Sequence, residues 1–499
     1  MRTVYNNGEQ QTAKRVLSFF DRELGRSERQ DPHEVVLGLF PLLAGLVGMM
    51  CDSRDVLRLL LVLNLCGNIC MLLGAGRSVL QSHRMGWFLV LCSYTVMFYV
   101  EGVALAFGDP SFGGSRETKI YQYSVTSIQR ALLCLGIFQA AFFLAWWGPA
   151  PVFKSMARKR LLSPRSVLYP MCLCGYVPLI AVRGLDLGAL SQELLNSRTV
   201  RFSGGYSDAG LLQHISALSF YPSALLLAKG VCGKGTGRWT DLAAGIIGVI
   251  PFLALGSRHM LLCVLGPVAL VWFYAKIRQF KFQTFVAVIA LMISGFLLLQ
   301  LQYAVRYKGW NAIASVKGRD LDVGKVSQMF ESLLFATNMV PEVHRYYMEP
   351  MTPLFITYWI PRRLWPNKYE SRSYAGFSEA MTGSADVAKV NSPPSIVGQY
   401  YINWSYVGVL AIGWWIGLLT KWLDLQTFEV RKGGNLPLLV LCGSGYMFLV
   451  NVLRIYHPFY LAYVVWMVLV AIVSSKLARF LGLEVRPIQR EVGELDLRT

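Results

Sequence analysis

Apolar residues in this chain come in long unbroken runs rather than in alternation with polar ones. Twelve stretches, at 35–51, 56–74, 86–107, 131–150, 167–183, 211–231, 239–256, 259–275, 284–304, 398–420, 436–454 and 458–475, carry almost no charge. A hydrocarbon core of roughly 30 Å takes about 20 residues of α-helix to cross. Lipid offers exposed backbone groups no hydrogen-bond partner, so each run predicts a spanning helix. The pattern predicts an all-α polytopic membrane protein with about 12 transmembrane helices.

Polar segments divide the remainder. Residues 1–34 form one tail, 35–475 a transmembrane region with two larger loops at 184–210 and 305–397, and 476–499 a second tail. The first tail holds Arg22, Glu23, Arg26, Glu28, Arg29, Asp31 and Glu34 and lacks the apolar core of a signal peptide, which predicts that it stays in the cytoplasm. Lys and Arg are retained on the cytoplasmic side during insertion. With both termini inside, the cytoplasmic segments hold 27 of them, the short outer loops 10 and the long block 305–397 the remaining 11. The two larger loops are thereby expected outside.

Composition adds little beyond this. The 499 residues are 54% hydrophobic, with a formal net charge of +19. Those cations are spread over many loops rather than one basic face, which argues for topology and anionic lipid head groups and against nucleic acid as partner. The ten cysteines lie in or beside the apolar runs, so no disulfide framework is expected. No pair of outer carboxylates or histidine cluster points to a metal, and no cofactor is expected.

The larger loops carry structure of their own. Phe330, Leu333, Leu334 and Ala336 recur at helical spacing before Pro341, predicting a short amphipathic helix at the interface. Gly376, Gly383, Pro393 and Pro394 read as turns. Leu190, Leu194 and Leu195 predict a second short helix, followed by Arg198, Arg201 and a glycine turn at Gly204 and Gly205. Within the spans Glu101, Gln213, His214, Gln300, Gln302, Gln399, Asn403 and Asn451 fall toward the outer ends, while Asn64, Asn68 and Gln139 lie deeper. That bias predicts a polar cavity opening outward. No Asp, Glu or Lys sits mid-span, which disfavours an ion-coupled transporter.

One ordered set of motifs resembles a known family. Ile360-Pro361-Arg362-Arg363-Leu364-Trp365-Pro366-Asn367-Lys368, then Pro393-Pro394-Ser395, then Gly398-Gln399-Tyr400-Tyr401-Ile402-Asn403 with Gly408, is similar to the outer-loop-to-helix segment of bacterial oligosaccharide repeat-unit polymerases of the Wzy type. The Gly256-Ser257-Arg258 corner, the arginines after the fifth span and the twelve-span layout are similar too. The resemblance runs over most of residues 180–460. It implies a protein of the bacterial inner membrane that moves a glycan from undecaprenyl pyrophosphate onto a hydroxyl of the next lipid-linked repeat unit. A flippase and a chain-length regulator are implied partners, alongside membrane lipids. A polysaccharide ligase is the neighbouring enzyme reading, and a flippase or exporter of lipid-linked oligosaccharides the alternative from another class.

The chemistry implied by that resemblance needs three kinds of residue. Charge grows on a leaving pyrophosphate, and the planar fork of arginine suits its oxygens. The cations available are Arg198, Arg201, Arg258, Arg306, Arg362, Arg363, Lys368 and Arg454, of which Arg258 and Arg454 stand in or beside the shortest turns. A general base for the acceptor hydroxyl would come from Glu342, His344, Glu379, Asp386 or His457. Tyr400, Tyr401 and Asn403 are candidates for sugar contact, with interfacial anchoring the competing role for the tyrosines.

Overall fold

The computed structural model describes residues 32–76, 84–108, 123–148, 161–177, 180, 215–233, 237–254, 258–276, 329–349, 365, 371–382, 394–432, 435–454 and 458–483. Among them every regular element is helical. The helices are α1 (Pro32–Met49), α2 (Arg54–Gly76), α3 (85–108), α4 (Val125–Trp147), α5 (Arg165–Cys172, continued as a 3-10 turn Leu173–Tyr176), α6 (Phe220–Cys232) and α7 (Gly237–Ala254). They continue with α8 (Arg258–Lys276), α9 (Met329–Met339), α10 (Arg372–Thr382), α11 (Ile396–Lys432), α12 (Leu436–Arg454) and α13 (Pro458–Phe480). Eleven of the twelve apolar runs thus coincide with helix, and the run at 284–304 lies outside the described residues. Seven of the helices are long and apolar enough to cross a membrane.

Close backbone approach organises the bundle. A Cβ on Gly136 of α4 would stand 2.4 Å from the Pro41 carbonyl of α1, and one on Gly413 of α11 would stand 2.6 Å from the Phe138 carbonyl. Gly417 meets Phe142 four residues further along, so α4 and α11 run parallel, while α1 is antiparallel to α4. With no hydrophobic drive between helices in lipid, small residues at such crossings are what permit dense packing. As a result α4 is the centre: 78% of its apolar window is buried, against 33% for α2, whose Leu59, Leu63, Ile69 and Leu73 are exposed. Those side chains form a lipid-facing surface.

Three helices begin on a buried carboxylate from elsewhere in the chain. Asp424 of α11 accepts the backbone amides of Gly86 (2.6 Å) and Trp87 (3.2 Å), Tyr446 Oη (2.8 Å) and Trp146 Nε1 (3.4 Å) at the start of α3. Glu101 of α3 accepts the amides of Met329 (2.8 Å) and Glu331 (3.3 Å) and so starts α9. Glu349 starts α10. A helix N-terminus leaves amides without partners and carries partial positive charge, so a carboxylate there satisfies both. The sequence reading placed the tenth span at 398–420 and therefore saw no mid-span acid; the helix runs on to Lys432 and holds Asp424 inside it.

The expected amphipathic helix is present as α9, but it does not lie on an interface. Residues 329–337 are all buried, packed against α3, α4 and α11. Its polar side chains are satisfied by the bundle: Thr337 Oγ1 donates to the Ser127 carbonyl at 2.9 Å, and Ser127 Oγ to Asn338 Oδ1 at 2.8 Å. Gly376, read as a turn, is inside α10, where a Cβ would stand 2.0 Å from the Tyr347 hydroxyl.

Candidate functional site

One end of the bundle gathers the features that could carry chemistry. There α9 and α10 dock, α4 and α11 begin, and α12 ends. Ser124 caps α4 by accepting the Ser127 amide at 3.1 Å, and Ser395 caps α11 by accepting the Gly398 amide at the same distance. Two turns into α11 the helix breaks: Trp404 (φ −132°, ψ 15°) and Ser405 (φ 55°, ψ −150°) leave helical geometry. Positive φ is costly for a side-chain-bearing residue, and such strain persists only where surroundings hold it. Here the carbonyls freed by the break accept amides from the 346–349 segment, Tyr347 N to Ile402 O (3.1 Å) and Met348 N to Asn403 O (3.0 Å).

Beside the break lies a buried polar network. The Glu349 carboxylate accepts Ser371 Oγ (2.8 Å), the amides of Arg372 (2.7 Å) and Ser373 (3.2 Å), and Ser373 Oγ. Ser373 Oγ in turn accepts Gln399 Nε2 (2.8 Å) and Asn403 Nδ2 (3.2 Å). Asn403 Oδ1 accepts the Glu349 amide, and Trp404 Nε1 donates to the Glu349 carbonyl. Gln399 Oε1 is buried with no partner among the described residues. On the outer side of this network His344 stacks on Tyr347 at 6.4 Å, and Glu379 and Arg372 are exposed on α10. Burial first, then Glu379 and Glu349, raises the Tyr347 phenol above its ordinary value.

The predicted sugar contacts change role here. Tyr401 is buried, its hydroxyl donating to the Val340 carbonyl at 3.3 Å, and Asn403 is wholly buried in the Glu349 network. Both tie the 340–349 segment to α11. Tyr400 is half-buried. Of the base candidates, Glu342 is 61% exposed and paired with Arg130, His344 and Glu379 are exposed, and Asp386 and His457 lie outside the described residues. Arg198, Arg201, Arg306, Arg362, Arg363 and Lys368 also lie outside them.

The two favoured arginines stand at neighbouring helix ends. Gly266 of α8 packs on Met447 of α12, and Gly443 of α12 on Pro267 of α8, so the helices are antiparallel neighbours. Arg258 stands eight residues before Gly266 and Arg454 seven after Met447, about 12 and 10 Å along their axes at 1.5 Å per residue. The first residue of α8 is therefore level with the last residue of α12. Arg454 is half-buried, with Nε enclosed and without a partner among the described residues.

Sequence reasoning missed Arg130, Glu349 and the serines of α10. Arg130 was counted as a loop cation because the apolar run was started at 131; it sits inside α4, five residues past its first. Glu349, Ser371 and Ser373 left no signal, since their partnership joins positions 22 and 24 residues apart in the chain.

No family model, curated protein or solved structure matches the chain. The helices alone define its class: a polytopic α-helical membrane protein.

Proposed function

We propose that this protein is a membrane glycosyltransferase of the Wzy type, polymerising undecaprenyl-pyrophosphate-linked repeat units into a surface polysaccharide at the outer face of a bacterial inner membrane. In this reading all twelve apolar runs span, both termini are cytoplasmic, and the end bearing α9 and α10 faces outward. The feature that supports it is the level of Arg258 and Arg454 along the bundle, at facing ends of the adjacent antiparallel helices α8 and α12. The acceptor hydroxyl oxygen bonds to the anomeric carbon as the bond from that carbon to the pyrophosphate oxygen breaks. The hydroxyl proton passes to a base, for which Glu342, His344 and Glu379 are the described outer candidates. The arginines hold the oxygens on which charge develops, the task for which fixed cations give most.

The test is product formation in liposomes holding only this protein and lipid-linked repeat units. A ladder of chain lengths is expected, and Arg258→Ala and Arg454→Ala should each abolish it at unchanged membrane insertion. Transbilayer movement without lengthening refutes the enzyme reading in favour of a flippase.

A further inference from the structure

We infer that Arg130 is a binding residue for a diphosphate group and that Glu342 is the acceptor holding its place until that group arrives. The inference rests on the proposed function for the identity of the anion, and on the local geometry for the site.

Arg130 is set into α4 with its side chain 17% exposed, yet its only carboxylate partner among the described residues is a single contact, Nη2 to Glu342 Oε1 at 2.8 Å. Its Nη1 is buried and unpartnered among the described residues. A guanidinium is built to grip two oxygens at once, so half of this fork is unused. The phenols of Tyr401 and Tyr406 lie close enough to act on the same charge.

Glu342 is a poor permanent partner. At 61% exposure it gains little from the pairing, since water competes for it. Nor does the loop need the contact as an anchor. The amides of Val343 and His344 bond to the Met339 carbonyl, and those of Tyr347 and Met348 to the broken turn of α11. The pair can open without releasing the segment. A diphosphate brings more charge and more oxygens than one carboxylate, takes the guanidinium face that Glu342 holds and displaces Glu342 into solvent.

The carboxylate is then a competitor, which fixes opposite signs for two substitutions. In neutral detergent, with farnesyl pyrophosphate, inorganic pyrophosphate and phosphatidylglycerol as separate probes, Glu342→Gln should tighten farnesyl pyrophosphate binding at least threefold. Arg130→Gln should weaken it at least tenfold. Glu342 is exposed, so its variant folds whatever becomes of the Arg130 variant. Unchanged or weaker binding in Glu342→Gln overturns the inference, as does Glu342-dependent binding of phosphatidylglycerol alone, which would make this a lipid head-group site. Inorganic pyrophosphate should show the same signs as the farnesyl probe, and the reverse signs overturn the exchange. A missing polymer ladder with these signs intact removes the polymerase reading and leaves the site standing.

Discussion

Glu349→Ala should release α10 from the bundle. The carboxylate accepts two backbone amides and two hydroxyls, and Ser373, which supplies one of each, has no exposed surface. A buried donor that loses its acceptor costs about 1 to 3 kcal/mol. The Ser373 amide has no other acceptor in the network. Counting only that amide, at the upper end of the range, gives about 3 kcal/mol. At 1.4 kcal/mol per factor of ten, local opening becomes roughly 100-fold more frequent. Hydrogen exchange followed by mass spectrometry on peptides covering 371–382, in detergent micelles, reads that opening directly. Peptides from α12 serve as the internal reference, since they should not change. Glu349→Gln keeps one accepting oxygen and should fall between. Exchange in Glu349→Ala within about twofold of the parent would show that packing, not this cap, holds α10. Adding Ser373→Ala to Glu349→Ala should cost little more, because members of one network do not add.

Other perturbations follow from the same geometry. Asp424→Ala strips acceptors from two amides, a phenol and an indole and should lower the thermal midpoint in detergent by the equivalent of about 3 kcal/mol, with Asp424→Asn milder. Gly136→Ala gains about 1 kcal/mol of helix propensity but drives a Cβ into the Pro41 carbonyl, an overpacking cost of about 1 to 3 kcal/mol; reduced thermal stability is expected. Gly74→Ala, where nothing lies within 4 Å, should instead be neutral or stabilising by the same assay. Replacing both Asn68 and Gln139 by Leu should be less damaging than replacing either, because each single change strands the other's reciprocal hydrogen bonds (3.3 and 2.8 Å) in the interior.

The helices were legible because lipid imposes one solution on an apolar run. Their ends were not: α11 extends twelve residues past the predicted 420, where Asp424 finds donors on α3, α4 and α12 and Thr420 and Thr427 bond back to carbonyls of their own helix, a context that hydropathy does not contain. Glu101, Gln399 and Asn403 do gather at one end of the bundle, where α9 and α10 dock. These side chains tie helix starts and loop turns to the bundle, rather than lining open water. Arg258 and Arg454 were readable as charges at two short turns, while the shared level of their helix ends needed the glycine contacts of α8 and α12. Arg130 was visible as a charge, but its burial was not.

The parallel seat of α11 on α4 bears on how the protein is made. Ala145 and Gly417 touch in the finished bundle but are separated by 272 positions in the chain. At about 5 to 20 residues per second, roughly 15 to 50 s pass between synthesis of the groove and arrival of its occupant. Throughout that interval the carbonyls of Phe138 and Phe142 stand in a small-residue furrow that lipid tails fill badly. The half-made chain is therefore a substrate for whatever shelters unfinished membrane helices, and a fragment spanning 394–483 supplied separately should rescue a chain truncated before α11.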